Sequence, residues 1–253
     1  MSKSLPISCF IIARNEGDRI ARTIGSVAGW VDEIIVIDSG SSDDTVAVCE
    51  RLGARVIFHA WPGYGLQKRF GEEQCRNNWL LNLDADEEVT PALASEIAAL
   101  FSGDAPSLAG FHLKVRDLLP GEESLSHFSY TNLCLRLYDK RWARFSDSPV
   151  HDSVIVEEGG TQILEFPVLH RSFRSLAHMV EKINSYSSAQ AAAMQHKKML
   201  LPHLRLLIEL PLAFVKIYCF RGYAMRGWRG FAYSVVYAFG RFLRVAKYLE
   251  SSR

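Results

Sequence analysis

The chain has 253 residues, 48% of them apolar, which is enough for one large domain, or a domain with an appendage, and too apolar for a disordered chain. Its five cysteines (Cys9, Cys49, Cys75, Cys134, Cys219) are odd in number and lack CxxC spacing, which argues against a disulfide scaffold or structural zinc and fits a reducing compartment. The formal net charge of +1 conceals an asymmetry: residues 1–196 carry 18 Lys and Arg against 26 Asp and Glu, net −8, whereas residues 197–253 carry 11 against 2, net +9.

The opening segment is too short in its apolar run, and lacks the small-residue cleavage site, for a signal peptide. "PISCFIIARN" has the pattern of a buried strand with a polar break after it. "DRIARTIGSVAGW" places Ile20, Ile24 and Val27 at helical spacing. "VDEIIVIDSGSSDDT" is a second strand running into a turn, and Asp43 or Asp44 then caps a helix over "TVAVCERLG" that stops at Gly53. "ARVIFHAW" is a third strand, "GLQKRFGEEQCRN" a helix and "WLLNLDADEE" a fourth strand. Strands alternating with helices at this rhythm predict βαβ units and a mostly parallel sheet. After a helix opened by Thr90-Pro91, the strands "AGFHLKVRDLL" and "TNLCLRLYDK" follow, then further strands with a turn at Gly159-Gly160, and a helix over 175–197.

In an open α/β sheet, ligands bind beyond the carboxyl ends of the strands. Three polar clusters fall there: Arg14-Asn15-Glu16, Asp38-Ser39-Gly40 and Asp84-Ala85-Asp86. Crowded carboxylates are stable beside a divalent cation, and Mg²⁺ or Mn²⁺ takes oxygen ligands and shares them with substrate phosphates. Strand alternation would put Asp84 and Asp86 on one side, as one metal needs. Glu87 and Glu88 have a plainer explanation, as acids that open an exposed helix. The chain has no GxxxxGK[ST] loop and no GxSxG elbow; "GYGLQK" lacks the third glycine of a dinucleotide loop, yet places Lys68 or Arg69 where it could approach a phosphate.

Residues 199–253 are rich in Leu, Phe and Tyr, with basic residues interspersed. A membrane-spanning helix needs about 20 residues nearly free of charge. Arg205, Glu209, Lys216 and Arg221, with Pro202 and Pro211, interrupt the first half, and the second half has no uncharged run of that length. The composition fits amphipathic helices lying in a membrane interface. The alternative is an appendage packed on the preceding domain or a second subunit. No nucleic-acid-binding module is present.

On "IIARNE", "VDEIIVIDSGSSDDT" and "WLLNLDADEEV", in order and spacing across residues 5–100, the chain resembles glycosyltransferase family 2, the inverting GT-A enzymes that use nucleotide sugars. "LCLRLYDKRWARFSDSPVHDSV", "LHRSFRS" and the aromatic-basic tail look most like the bacterial lipopolysaccharide-core group that adds a hexose, often β-linked glucose, to inner-core heptose. The resemblance implies an α/β GT-A domain over 1–195, with a nucleotide-sugar half (1–100) and an acceptor half (101–175), and an amphipathic helical tail over 196–253. It also implies a donor site lined by Ala13, Asn15, Glu16, Asp38, Lys68, Asp84, Ala85 and Asp86, with Asp38 on the nucleoside. Asp84 and Asp86 become a DxD motif holding Mg²⁺ or Mn²⁺ and the diphosphate, with His170 as a further metal ligand. Glu87 and His151 would act behind these, and Arg171 either binds the diphosphate or is solvated. An inverting displacement needs a general base; Asp152 is the candidate and Asp147 the second. The implied partners are a UDP-hexose, a lipid-linked saccharide and a membrane surface met through 199–253, at the cytoplasmic face of a bacterial inner membrane. The oligomeric state stays open. An enzyme loading a sugar onto polyprenyl phosphate would share the donor site and differ in the acceptor region, 116–175. A non-catalytic sugar-nucleotide-binding protein would differ in having no use for Asp152.

Overall fold

The computed structural model describes residues 4–103, 105–126, 129–147, 153–195 and 199–251. The chain forms two compact units: Met1–Arg116 with Thr131–His170, and Asp117–Tyr130 with Arg171–Arg253.

In the first unit, β1 (Leu5–Ala13), α1 (Ile20–Val27), β2 (Val31–Asp38), α2 (Thr45–Arg51), β3 (Arg55–Phe58), α3 (Tyr64–Gln74) and β4 (Trp79–Asp84) alternate as expected. They are followed by β5 (Glu87–Val89), α4 (Pro91–Leu100), β6 (Gly110–Asp117), β7 (Thr131–Asp139), β8 (Ala143–Phe145), β9 (Val154–Val156) and β10 (Thr161–His170). Eight strands make one sheet in the order β3-β2-β1-β4-β7-β6-β10-β5, and β8 and β9 pair separately. β3, β2, β1 and β4 run parallel, whereas β7 is antiparallel to β4 and to β6, and β10 to β5. This is the GT-A arrangement of a mostly parallel sheet flanked by helices, with its parallel part held in the first four strands.

β1 is buried on both faces, as a central parallel strand must be. Ile7, Cys9 and Ile11 pack with Ile20, Ile24 and Val27 of α1 and with Leu93 and Ile97 of α4. Phe10 points the other way, with Ile35, Ile37 and Phe145. α3 approaches this second face closely at Gly71, where a Cβ would meet Phe10 at 2.8 Å and Ile37 at 3.3 Å. The α2 start is capped by Asp43, whose carboxylate accepts from the Thr45 backbone N–H at 3.1 Å and from its hydroxyl. Asp44 holds the cap position without a side-chain bond.

The sequence reading takes Glu87 and Glu88 as acids that open an exposed helix. The structure places them in β5, paired with β10 (Val89 with Val168, Glu87 with His170), and α4 begins at Pro91 behind a Thr90 cap, as the Thr90-Pro91 pair predicts. Glu87 is 1% exposed. The reason is a buried cation, described below, that draws this carboxylate inward.

The second unit has α5 (Leu176–Met194), α6 (Pro202–Val215), a π-helical turn at 216–220, a 3-10 turn at 223–226 and α7 (Gly227–Ser251). Its core joins Leu119, Met179, Ile217, Tyr223 and Tyr233. Compactness thus groups residues 117–130 and α5 with the C-terminal helices, whereas the sequence reading divides the chain at 195. Arg226 ties the 117–130 segment in: its Nη2 lies 2.8 Å from the Asp117 carbonyl and 2.6 Å from Glu122 Oε2. Among the described residues no helix is long and apolar enough to cross a membrane.

Candidate active site

The strand order 3-2-1-4 puts a crevice between the carboxyl ends of β1 and β4, where connections leave in opposite directions. The loops after β1 and β2 meet there. Asn15, at φ 56°, accepts from the Ser42 N–H at 2.8 Å, and its own N–H donates to the Ser41 hydroxyl at 2.9 Å. The Glu16 N–H donates to the Thr45 hydroxyl at 2.8 Å, and the Ala13 carbonyl accepts from Ser39 N–H. Asp38 is 4% exposed and accepts from the Gly40 and Ser41 N–H groups at 2.9 and 3.0 Å and from the Ser41 hydroxyl. Its carboxylate therefore shapes its own loop, and any nucleoside contact adds to three existing bonds.

β4 alternates: Trp79, Leu81 and Leu83 enter one core, while Asn82 and Asp84 face the α3 side. Arg136 of β7 reaches both. Its Nη1 donates to Asn82 Oδ1 at 2.7 Å, and its Nη2 to Asp84 Oδ2 and Glu87 Oε1, each at 2.6 Å. Lys68 of α3 approaches the other Asp84 oxygen at 2.9 Å. Burial alone would raise the Asp84 carboxyl, but Arg136 and Lys68 outweigh it and hold it far below the usual carboxylate range. Burial dominates at Glu87 and keeps its carboxyl raised despite Arg136.

The buried face of α3 is largely polar. Gln67 donates to the Ser39 hydroxyl at 3.0 Å and to the His59 carbonyl at 3.1 Å, and Lys68 pairs with Asp84. Glu72 Oε1 accepts from Tyr138 Oη at 2.7 Å and from the Phe145 N–H at 2.9 Å. Burial pushes the Glu72 carboxyl up. The neighbouring Arg69 donates to the Phe145 carbonyl at 2.7 Å and stands 3.9 Å from Asp147, a 75% exposed side chain.

Asp86 has different partners from Asp84. β4 ends at Asp84, so Asp86 lies in the turn before β5, beyond the strand alternation. Asp86 Oδ2 is 3.3 Å from Arg19 Nη1, and Oδ1 is 3.4 Å from His170 Nε2. Arg19 also pairs with Glu16, and the Ala85 carbonyl accepts from the Thr23 hydroxyl at 2.9 Å. Burial pushes Asp86 up, but His170 and then Arg19 bring it below its ordinary value.

The two aspartates therefore differ in spare charge. Asp84 and Glu87 are offset by Lys68 and Arg136, whereas Asp86 and Glu16 share Arg19. A cation at this site is suited to Asp86 with His170, a carboxylate and an imidazole facing each other at the spacing of neighbouring ligands on one small ion. Among the described residues no group of three or more His, Cys, Asp or Glu is placed to hold a metal.

Sequence reasoning named Glu16, Lys68, Asp84, Asp86, Glu87 and His170, and the fold brings these together. It passes over Arg136 and Arg19, whose partners Asp84 and Asp86 lie 52 and 67 residues away. Asp152 and His151 lie outside the described residues. Glu88 belongs to β5 rather than to a helix start. Arg171 belongs to the second unit, where its Nη1 donates to the Glu122 carbonyl at 3.2 Å.

Residues 8–153 match the model of Glycosyl transferase family 2. An uncharacterized glycosyltransferase of Rickettsia felis is 41% identical over 97% of this chain and 90% of its own length. The lipopolysaccharide core biosynthesis glycosyltransferase LpsC of Rhizobium meliloti is 29% identical over 98% of this chain and 93% of its own. The glucosyl-3-phosphoglycerate synthase of Mycobacterium tuberculosis, crystallised with Mn²⁺, UDP and glucosyl-3-phosphoglycerate, is 28% identical over 47% of this chain and 45% of that one, at a TM-score of 0.34, a likeness too partial to carry its ligands over. By the family match and the near-full-length Rickettsia relative, this chain belongs to glycosyl transferase family 2 and is a glycosyltransferase.

Proposed function

We propose that the enzyme moves a hexose from UDP-glucose, with inversion, to a lipid-linked saccharide, the heptose of a lipopolysaccharide inner core, at the cytoplasmic face of the inner membrane, where residues 199–253 meet the membrane surface. The near-full-length likeness to a relative named for lipopolysaccharide core biosynthesis supports the acceptor class. The observation that carries the donor chemistry is the Asp86–His170 pair beside a charge-compensated Asp84.

Asp86 and His170 would hold Mg²⁺ or Mn²⁺. Held there, the ion would supply positive charge against the diphosphate as it leaves. Lys68 and Arg136 keep Asp84 ionised and fixed without any metal, so the wall of the donor pocket is set before substrate arrives. Arg19 holds Glu16 and Asp86 at the mouth of the β1–β4 crevice. The acceptor hydroxyl gives its proton to a carboxylate in the segment after β8; Asp152 is our assignment and Asp147 the second candidate. Glu72 and Arg69 fix Phe145, at the start of that segment.

A thermal-shift screen of UDP-glucose, UDP-galactose, UDP-GlcNAc and GDP-mannose, with and without Mn²⁺ or Mg²⁺, tests this reading. A ligand that binds only the folded state raises the midpoint with the logarithm of its occupancy. UDP-glucose should raise it only with metal. A shift from GDP-mannose alone, or one indifferent to metal, would overturn the donor assignment.

A further inference from the structure

The second unit carries positive charge that its own acids leave unbalanced. Glu209 of α6 is 8% exposed, and three arginines converge on it. Arg205 Nε is 3.2 Å from Oε2; Arg241 Nε and Arg244 Nη2 are 2.9 and 3.0 Å from Oε1. One carboxylate offsets one of three charges. The side chains of Arg205 and Arg241 are 42% and 49% exposed, so their remaining N–H donors reach the surface. Arg244 is the inner member, and its Nε has no hydrogen-bond partner among the described residues. Burial and the neighbouring Arg241 push its guanidinium below its ordinary value, as expected of cations crowded beyond what Glu209 offsets.

The same two helices expose large apolar side chains: Leu204, Leu207 and Ile208 within one turn of Arg205, and Trp228, Val235 and Phe239 on α7. A small soluble anion would meet the charge and leave those side chains in water. An anionic lipid surface meets both.

We propose that Arg205, Arg241 and Arg244, gathered by Glu209, form a site for the phosphate headgroup of an anionic lipid. This rests on the reading that 199–253 meets a membrane, and it names the residues that make the contact selective for anionic lipid. Glu209 spaces the guanidiniums and keeps their repulsion from splaying α6 from α7. The headgroup phosphate accepts from the N–H groups that Glu209 leaves unused.

The test is co-sedimentation of the full chain with vesicles of phosphatidylcholine alone or mixed with phosphatidylglycerol, beside thermal shifts with inorganic phosphate. R205Q/R241Q keeps the Glu209–Arg244 pair; R55Q/R76Q removes the same charge from exposed arginines of the other unit. Wild type and R55Q/R76Q should prefer the anionic vesicles, and R205Q/R241Q should bind them roughly thirtyfold less tightly, at about a fivefold loss per arginine. The single variant R205Q, which removes the half-exposed arginine and leaves Arg241 and Arg244 on Glu209, should show that fivefold loss if the double variant folds poorly. Equal binding by wild type and R205Q/R241Q, or equal losses in both double variants, overturns the site while the membrane reading stands. Failure of the wild type to bind either vesicle overturns both. A shift with inorganic phosphate that R205Q/R241Q abolishes, without vesicle preference, overturns the lipid assignment.

Discussion

Arg136 holds Asp84 across the β4–β7 ladder, Nη2 to Oδ2 at 2.6 Å, and the same nitrogen holds Glu87. Replacing Arg136 by Met takes the shared cation from the buried Glu87 and the partly buried Asp84, and leaves Asp84 with Lys68. Removing one partner of a buried pair costs about 3–5 kcal/mol. Urea denaturation should show a loss of that order. Arg136→Lys keeps the charge but lacks the fork that reaches Asn82, Asp84 and Glu87 together, so it should fall between the two.

The unequal surroundings of the two aspartates give a separable pair of effects. Asp86→Asn should abolish the metal-dependent part of the UDP-sugar thermal shift and lower the ligand-free midpoint less than Asp84→Asn does, because Arg19 keeps Glu16 as a counter-charge. Asp84→Asn should lower the ligand-free midpoint, because Lys68 and Arg136 lose their shared counter-charge. If the two variants behave alike in both measurements, the division of labour is wrong.

Glu72 sets a pH signature. Its carboxyl is raised in the folded state, chiefly by burial, so folding favours the protonated form. Below the ordinary glutamate value both states are protonated and there is no cost. As pH rises from about 4.5 toward the folded value, the unfolded chain ionises first and stability declines. Glu72→Gln keeps an acceptor for Tyr138 and Phe145 and cannot ionise. The midpoint of E72Q minus that of wild type should therefore grow with pH from 4.5 upward and then level. Asp86, lowered in the folded state, acts in the opposite sense: its contribution is present above the ordinary aspartate range and is lost on acidification.

The C-terminal helices are built into the second unit's core. Arg226, with a 1% exposed side chain, pairs with Glu122 and bonds the Asp117 carbonyl, while Leu119 and Met179 pack with Tyr223 and Tyr233. Arg226→Ala should cost about 3 kcal/mol or more by leaving Glu122 without its cation. Truncation before residue 199 should give an aggregating or protease-sensitive chain rather than a well-behaved soluble enzyme, as limited proteolysis will report.

Asp152→Asn tests the base directly. It should retain the metal-dependent donor shift and lose transfer by roughly 10²–10⁴-fold. Full turnover in this variant, with Asp147→Asn inactive, would move the role to Asp147.

The sequence by itself determined β1 to β4, their alternation with helices and the acids at the ends of β1, β2 and β4. Each of those is a local property: an apolar run, a helical spacing, a carboxylate next to a strand end. It also singled out His170 through the family pattern, and the fold sets that residue beside Asp86. What only the tertiary structure decided was how the charges are shared. Arg136 sits in an ordinary strand, "LCLRLYDK", and nothing local marks it as the cation that draws Glu87 out of a helix start and into a buried strand. The polar face of α3 is likewise buried because its partners, Ser39, Asp84, Tyr138 and Phe145, come from four other places in the chain. Pairing of distant charges depends on sheet order and register, and neither has a signature in any short stretch of residues.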